Sequence, residues 1–412
     1  MQFKDLQLNK PILKALLEEG YEFPTPVQNQ TIPLVLAKKD VITTAQTGTG
    51  KTAAFALPIL QMLFDKQDSG KKGKKIKALI VSPTRELAIQ IQESFKVYGK
   101  YINLRTTVVY GGTSIEPQKD VLTKGVDILV ATPGRLLDLH KQDFINLDYI
   151  ETLVLDEADL MLDMGFIDDV KKIERLCPKN KQILLFSATI PAKVVELANT
   201  ILKDPETVNA TPSSSAAQNV NQLLFYVGKQ NKMELCLHLL RNTINGNILI
   251  FRRTKMGISK LEKMLKSNGY KIDSIHGDKT QNDRENALEN FKEGKINILI
   301  ATDVAARGID IDNLDAVINF DIPSISETYI HRIGRTGRAG NSGEAYSFCS
   351  ADEKPYIKGI QQLINTVIPI EENHPFVLDP KAKREIHKTP GKSKNKPGRK
   401  SEASKKNKKR WY

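Results

Sequence analysis

The chain has 412 residues, an apolar share of 40% and a formal net charge of +13. That length is too great for one compact core, so two domains are expected. No apolar stretch approaches the roughly 18–20 residues that a membrane span needs, and the first residues lack the apolar core of a secretory signal. We therefore expect a cytoplasmic protein that does not enter a membrane. Cys177, Cys236 and Cys349 lack metal-ligand spacing and are interpreted as buried free thiols in a reducing compartment.

Short apolar runs alternate with helical stretches along both halves of the chain. In the first half the runs are VITTA, ALIVSPT, TTVVYGG, ILVATPG, LVLDEAD and ILLFSAT, and in the second they are LLFYVG, ILIFRRT, INILIAT, AVINFD and AYSFCS. This alternation predicts an α/β fold built from βαβ units and parallel sheets. Residues 209–219 are rich in Pro, Ser and Ala and predict a flexible linker. We expect domains at 1–208 and 220–372.

The segment AQTGTGKT at 45–52 is a candidate phosphate-binding loop. It lies between a buried-strand pattern and an apolar helix pattern, where backbone N–H groups and the helix dipole favour an anion. Gly48 and Gly50 allow close approach of the backbone, Lys51 can reach the phosphates, and the Thr52 hydroxyl can bind Mg²⁺. Ala45 replaces the first glycine of the usual pattern. The alternative is a flexible Gly-Thr turn with an incidental lysine.

The segment DEAD at 156–159 follows the apolar run 153–155, which predicts a buried parallel strand. Ligands bind at the carboxyl ends of the strands in open α/β sheets. Asp156 would hold Mg²⁺ and Glu157 would polarise an attacking water. Adjacent carboxylates alone are usually solvated surface, but the upstream phosphate loop favours a nucleoside triphosphatase.

The positive charge belongs to the C-terminal tail. Residues 381–412 contain 14 of the 61 Lys and Arg and 2 of the 48 Asp and Glu, so they carry +12 of the net +13. The tail, from residue 373, has few large apolar residues and is expected to be disordered. It would attract phosphate backbones in a salt-sensitive way. The alternative is a merely solubilising extension.

The chain contains further motifs in addition to the segments at 45–52 and 156–159. They are GYEFPTPVQ at 20–28, PTREL at 83–87, GG at 111–112, TPGR at 132–135, SAT at 187–189, ILIFRRT at 248–254, QNDR at 281–284, ATDVAARGID at 301–310 and HRIGRTGR at 331–338. The ordered set covers residues 1–370 and resembles the DEAD-box RNA helicase family, and in particular its bacterial RhlE-type branch. The resemblance implies two tandem RecA-like domains, with a Q motif at 1–29, and a substrate ATP with Mg²⁺.

The resemblance also implies a role for each nucleotide-site residue. Gln28 would read the adenine edge, Tyr21 would stack on the ring with Phe3 packed behind, and Asp310 would touch the ribose. Arg335 and Arg338 would be arginine fingers on one face of a helical turn, completing a catalytic set with Lys51, Asp156 and Glu157. The coupling residues would be Asp159, Ser187, Thr189 and His331. The full set of ATP-binding positions is Tyr21, Gln28, Ala45, Gln46, Thr47, Gly48, Thr49, Gly50, Lys51, Thr52 and Asp310.

RNA would lie across both domains, held by backbone and 2′-OH contacts that ignore base sequence. The implied contacts are Thr84, Arg85, Gly111, Gly112, Thr132, Arg135, Arg252, Gln281, Arg284 and Thr302. Arg252 departs from the small or apolar residue more usual in the family, which puts its contact in doubt.

These expectations together predict an RNA-stimulated ATPase that closes its domains and separates RNA strands locally or remodels ribonucleoproteins, such as ribosomal or RNA-decay particles. An ATP-gated RNA clamp with little unwinding would carry the same motifs. A DNA helicase is disfavoured by DEAD and the Q motif. In a fourth interpretation the tail is the main RNA-binding module and the core is its motor.

Overall fold

Two parallel β-sheets organise the chain. The computed structural model describes residues 1–45, 48–66, 75–210, 220–306, 311, 314–337 and 343–378. Every strand pairing within both sheets is parallel, as the alternation of apolar runs and helical stretches predicts. Parallel strands need crossover connections, which the intervening helices supply. The fold class expected from the sequence, α/β with two sheet domains, is confirmed.

The first sheet has seven described strands in the order β3-β4-β2-β5-β6-β1-β7. They are β1 Val41–Thr44, β2 Ala78–Val81, β3 Thr106–Val109, β4 Ile128–Ala131, β5 Thr152–Leu155, β6 Gln182–Ser187 and β7 Glu206–Asn209. The helices around this sheet are α1 Lys10–Glu18, α2 Pro26–Leu36, α3 Lys51–Asp65, α4 Arg85–Tyr98, α5 Glu116–Thr123, α6 Pro133–Lys141, α7 Ala158–Asp163, α8 Ile167–Leu176 and α9 Ala192–Ile201. A short 3-10 helix at Phe3–Leu6 precedes them.

The second sheet has six described strands in the order β10-β11-β9-β12-β13-β8. They are β8 Val220–Tyr226, β9 Ile248–Phe251, β10 Ile272–Ile275, β11 Ile298–Ala301, β12 Ala316–Asn319 and β13 Gly343–Cys349. The helices are α10 Lys232–Asn242, α11 Lys255–Ser267, α12 Gln281–Lys292, α13 Asp303–Ala306, α14 Ser326–Ile333 and α15 Lys354–Ile364, with a 3-10 turn at Lys229–Asn231.

The central strands are buried on both faces. All residues of β2, β4, β5, β9, β11 and β12 are buried, which agrees with their largely apolar sequences. The first sheet carries one apolar cluster on each face, and three clusters surround the second. Consequently the loops after the strands are fixed by a packed core, and the motifs occupy those loops.

Two strands were missed by the sequence prediction. β7 and β10 have the sequences ETVN and IDSI, and both lie at the edge of their sheets. Edge strands tolerate polar residues because one side is open to solvent, so they lack the apolar run that identified the other strands.

The domain limits differ slightly from the expected ones. Asn209, the first residue of the expected linker, pairs with Thr44 as the last residue of β7, and residues 211–219 lie outside the described part. At the other end, the chain packs along β8 beyond residue 372, because the Leu378 N–H donates to the Tyr226 carbonyl at 2.9 Å. The remainder of the expected tail, 379–412, lies outside the described residues. Among the helices that the structure describes, none has both the length and the apolar character of a bilayer span.

Candidate nucleotide site and nucleic-acid interface

The phosphate loop connects β1 to α3. Gly48 and Gly50 adopt φ angles of 83° and 90°, in the left-handed region that L side chains rarely enter. A Cβ atom on Gly50 would lie 2.2 Å from Nε2 of Gln28, so only glycine fits there. The loop backbone therefore leads directly into the N-terminus of a 15-residue helix, where N–H groups and the helix dipole favour an anion. Gln46 and Thr47 lie outside the described residues.

The Q motif contacts this loop directly. Gln28 forms a capping box with Thr25 at the start of α2, accepting a hydrogen bond from the Thr25 N–H at 2.9 Å. Its Nε2 donates to the Gly50 carbonyl at 3.1 Å. Among the described residues, the amide oxygen of Gln28 accepts the one bond from Thr25 and its amide nitrogen donates the one bond to Gly50, so Gln28 can bind an adenine edge while holding the loop. Tyr21, in the turn before α2, is 47% exposed and can accept a stacked base.

The acidic pair follows β5. Asp156 and Glu157 are both buried, at 2% and 9% exposure. Glu157 has a φ of 54°, a left-handed conformation that costs a non-glycine residue about 1–2 kcal/mol. The conformation points its carboxylate at the phosphate loop, where Oε1 lies 3.1 Å from Nζ of Lys51. Strained backbone of this kind is concentrated at functional sites.

The two carboxylates have opposite electrostatic environments. Burial raises the pKa of Asp156, against the attraction of Lys51. Burial also opposes ionisation of Glu157, but Lys51, His331 and Arg335 outweigh it and lower the pKa of Glu157. Burial likewise opposes the charge on Lys51, which the carboxylates nevertheless stabilise, so its pKa is raised. Glu157 is therefore ionised in this arrangement, and Lys51 holds its charge.

Three of the four coupling residues predicted from the sequence, Asp159, Ser187 and Thr189, form one hydrogen-bonded group. Thr189 donates to Oδ2 of Asp159 from both its N–H and its hydroxyl, each at 2.9 Å. Ser187 accepts from the Asp159 N–H at 3.2 Å and donates to the Thr189 carbonyl at 2.6 Å. The same Oδ2 lies 3.9 Å from Nε2 of His331, which belongs to the second domain. Asp159 thus connects the loop after β6 with the opposite domain.

The second domain also brings an arginine to the acidic pair. Arg335 is 6% exposed, and its charge helps to lower the pKa of Glu157. The regular helix α14 ends at Ile333, and Arg335 lies in the turn that follows the Gly334 cap, where its N–H donates to the Arg332 carbonyl at 3.2 Å. The expectation that it shares one helical face with Arg338 stays a prediction. Arg338 and Asp310 lie outside the described residues.

The donor set at this site suits a magnesium ion. Asp156 offers carboxylate oxygens and Thr52 a hydroxyl at the start of α3, and both are hard oxygen ligands. Among the described residues, no group of three or more His, Cys, Asp or Glu side chains could form a protein-only metal cage. Magnesium ordinarily keeps several waters and binds through one or two carboxylates together with substrate phosphates, so the residues present fit it.

A second group of polar residues lies where β2, β3 and β4 end. Thr84 caps α4 by accepting from the Leu87 N–H, and Arg85 follows as the first helical residue. A Cβ on Gly112 would lie 1.7 Å from Nη2 of Arg85, so the guanidinium occupies the space over that glycine. Arg85 also donates to Oε1 of Gln281 from the second domain at 3.3 Å. The structure therefore brings these predicted RNA contacts together across the domains.

An ion pair accompanies this contact between the domains. Nη2 of Arg284 lies 2.9 Å from Oε1 of Glu86, and their side chains are only 14% and 8% exposed. Burial lowers the pKa of Arg85, and the nearby charges of Arg284 and Arg135 lower it further, whereas Glu86 opposes this effect. Arg85 and Arg284 thus both interact with Glu86, whereas the Arg135 side chain lies 3.9 Å from Asp138. A phosphate placed among these guanidinium groups would be attracted.

The other predicted RNA contacts have mixed positions. Gly111 has open space around it, and Thr132 occupies the N-cap position of α6 without a side-chain capping hydrogen bond. Thr302 follows β11, and its N–H donates to the Ile275 carbonyl. Arg252 is different, because its guanidinium stacks 4.0 Å from the Phe320 ring centroid and pairs with Asp321 at 3.2 Å. That inward orientation gives Arg252 a role in domain packing, and it argues against the predicted RNA contact.

Sequence reasoning passed over two charged residues inside the motifs. Glu86 is the acid of PTREL, and Arg332 follows His331 in HRIGRTGR. Arg332 is 2% exposed and binds both carboxylate oxygens of Asp303, at 2.5 and 2.8 Å. It also donates to Oδ1 of Asn319 at 3.1 Å. Both residues are next to residues selected from the sequence, and this position was the only indication of a role. Residue spacing alone does not predict that they are buried or which partners they bind.

Comparison with known proteins agrees with this arrangement. The DEAD/DEAH box helicase model matches residues 25–198, and the helicase conserved C-terminal domain model matches residues 231–340. The chain is 44% identical over 363 residues to the ATP-dependent RNA helicase CshA of Limosilactobacillus reuteri, covering 88% of this chain and 72% of that protein. It is 41% identical over 372 residues to the ATP-dependent RNA helicase RhlB of Shewanella sediminis, covering 90% and 86%.

Solved structures are similar in the arrangement of domains as well as in fold. The TM-score is 0.83 to Mss116 bound to single-stranded RNA and UDP-BeF, with 32% identity and coverage of 90% of this chain and 79% of that one. It is 0.79 to Saccharomyces cerevisiae Dbp5 bound to RNA and ADP-BeF3, with 31% identity and coverage of 89% and 94%. A Methanococcus jannaschii DEAD box protein is 40% identical, with coverage of 90% and 99%, yet scores only 0.52. The domains here are therefore placed as in the RNA-bound proteins.

Fold and site together define a two-domain nucleoside triphosphatase whose candidate nucleotide site faces His331 and Arg335 of the second domain. The chain belongs to the family of DEAD-box ATP-dependent RNA helicases. The finer expectation of an RhlE-type branch stays a prediction.

Proposed function

We propose that ATP is hydrolysed in a site completed only when the two domains close. Lys51 would leave Glu157 to bind the phosphates, and Glu157 would then be free to polarise the attacking water. Arg335, approaching from the second domain, would stabilise the charge that develops on the transferred phosphoryl group. The proposal is carried by one observation, the 3.9 Å approach of His331 to Asp159 across the domains.

The residues assigned to magnesium are Thr52 and Asp156. A bound magnesium ion would neutralise phosphate charge and polarise the phosphoryl oxygens. Asp156 contributes by being anchored, since its backbone N–H donates to the Val81 carbonyl at 3.0 Å and its Oδ1 accepts from the Glu157 N–H. The two anchors hold the carboxylate at the carboxyl end of β5, where the other ligands of a hard cation would meet it.

RNA is the proposed agent of closure. Arg284 and Arg135 disfavour the charge of nearby Arg85, an effect that Glu86 counters, and a phosphate backbone would stabilise all three guanidinium groups. Closure would bend one strand and separate a duplex locally, and hydrolysis would reopen the domains and release the strand. The tail at 381–412 would add a salt-sensitive attraction for RNA. Ribosomal or RNA-decay ribonucleoproteins are the proposed targets, in the cytoplasm, where the three free cysteines stay reduced.

The first prediction tests the water-polarising role. Glu157→Gln removes the charge but keeps the size of the side chain, so ATP binding should persist while RNA-stimulated turnover falls at least 100-fold, a typical contribution of general-base catalysis. Turnover is measured by phosphate release with saturating single-stranded RNA, and ATP binding by equilibrium titration.

The matched control for this variant is Glu151→Gln. Glu151 lies at the opposite end of β5, where it pairs with Lys66 and Lys77. Its turnover should stay within about twofold of the unmodified protein, as is usual for surface substitutions. Normal turnover in Glu157→Gln would contradict the assignment, and equal losses in both variants would indicate a general defect of the strand.

A further inference from the structure

The turn that carries Tyr21 is packed against the C-terminal end of α4. The rings of Tyr21 and Tyr98 meet edge-on, with centroids 6.3 Å apart and planes at 63°. Tyr98 is 8% exposed whereas Tyr21 is 47% exposed. A buried ring therefore supports a half-open one, and edge-to-face contact fixes the orientation of the open ring plane.

The Tyr98 hydroxyl takes part in this contact. It interacts with the side chains of both Tyr21 and Ser94. Burial, and then the neighbouring Tyr21, raise the pKa of Tyr98, so the hydroxyl stays neutral and able to donate. Two hydroxyl partners and a ring contact give Tyr98 a defined position beside Tyr21.

Other contacts join α1, which leads into this turn, to the residues that follow α4. Glu18, the last residue of α1, pairs with Lys100 at 2.7 Å and accepts from the Tyr101 hydroxyl. Lys14 lies 4.1 Å from the centroid of the Tyr101 ring. Within the turn, the Tyr21 N–H donates to the Leu16 carbonyl at 2.9 Å. The backbone that carries Tyr21 is thus fixed independently, which leaves the ring direction to Tyr98.

We propose that Tyr98 is a positioning residue for the nucleotide base, holding the Tyr21 ring in the plane that stacks on adenine. The proposal rests on the proposed function, in which Tyr21 is the stacking residue. Tyr98 itself would touch neither ATP nor RNA. Because α4 begins at Arg85 and carries Glu86, the base-binding turn and the contact between the domains share one helix.

The test separates binding of the base from binding of the phosphates. Tyr98→Phe keeps the ring and removes the hydroxyl, and the inhibition constant of ADP against RNA-stimulated hydrolysis should rise about two- to tenfold, as expected for one lost hydrogen bond. Inorganic pyrophosphate has no base, so its inhibition constant should not change. The turnover rate at saturating ATP should also be unaffected.

Tyr346→Phe is the matched control. The Tyr346 hydroxyl donates to Glu344 in the second domain. Tyr346 is far from Tyr21 in the sequence and lies on the other sheet. Both inhibition constants should equal those of the unmodified protein. Equal rises for ADP and pyrophosphate in Tyr98→Phe would overturn the proposal, because they would indicate a structural defect that reaches the phosphate loop.

Tyr21→Ala separates the proposal from the function on which it depends. If Tyr98 acts through Tyr21, the double variant should bind ADP no more weakly than Tyr21→Ala alone. If the inhibition constant of ADP rises in Tyr21→Ala but not in Tyr98→Phe, the positioning role of Tyr98 is overturned and the stacking role of Tyr21 is kept. No rise in Tyr21→Ala would overturn both, since the stacking residue itself would then be wrong.

Discussion

At the scale of residues, Asp159 joins three parts of the site. Its Oδ2 accepts two hydrogen bonds from Thr189 and lies near His331 of the other domain. A carboxylate held by two donors cannot rotate away from the histidine without losing both bonds. The orientation of a single side chain therefore connects the loop after β6 to the closed arrangement of the domains.

Thr189→Ala should weaken this connection while leaving the nucleotide site intact. The backbone N–H of residue 189 would still bind Asp159, but the loss of the hydroxyl bond should cost about 1 kcal/mol in the closed state. We expect RNA-stimulated turnover to fall about fivefold with unchanged ATP affinity. Parallel measurements of phosphate release and ATP titration check the expectation.

A matched threonine on α9 provides the control. Thr200 donates its hydroxyl to the Glu196 carbonyl within the helix and is exposed, so Thr200→Ala should leave turnover unchanged. An ATP affinity that falls together with turnover in Thr189→Ala would contradict a coupling role, since the effect would then lie in nucleotide binding.

Residue types in motifs were predictable from the sequence, whereas their orientations were not. The glycines, Lys51 and the acidic pair follow from chemistry, because few other residues bind phosphate and magnesium. The left-handed backbone of Glu157 and the inward orientation of Arg252 depend on surrounding packing. Neither the backbone conformation of Glu157 nor the orientation of Arg252 can be predicted from residue spacing.

At the scale of elements, the apolar runs identified the buried strands but gave no lateral order. β5 lies between β2 and β6, and β9 lies between β11 and β12. This order places the loops after β1, β5 and β6 side by side, which assembles the nucleotide site from distant segments. Periodicity records burial along one strand, and it carries no information on which strands become neighbours.

The contact between α4 and α12 yields a prediction for domain closure. Glu86→Gln removes the charge that pairs with Arg284, without altering the arginines proposed to bind phosphate. Losing a largely buried partner leaves Arg284 uncompensated in the closed state. We expect the RNA concentration for half-maximal ATPase to rise about tenfold, equivalent to about 1.4 kcal/mol, with basal ATP binding unchanged.

Two further variants make this prediction specific to the ion pair. Glu289→Gln removes an exposed carboxylate from the same helix α12 and should have no effect. Combining Glu86→Gln with Arg284→Gln should cost less than the sum of the single changes, because the pair is lost only once. Strict additivity would mean that the two side chains do not stabilise closure together.

At the scale of the whole molecule, charge and catalysis are separated along the chain. The tail at 381–412 carries nearly all of the formal net charge, so the first 380 residues are almost neutral. The domains are therefore proposed to rely on a few local arginines for RNA, among them Arg85 and Arg284. Long-range attraction for a polyanion would come from the tail.

Deleting residues 381–412 should weaken RNA binding without touching hydrolysis. Each phosphate contact that is lost removes about 0.7 from the slope of log affinity against log salt for a single strand. We expect lower RNA affinity and a shallower slope, while ATPase activity at saturating RNA stays unchanged. A tail of the same composition in scrambled order should restore both, because charge and not sequence would be responsible. Unaltered affinity at low salt after deletion would contradict any electrostatic role of the tail.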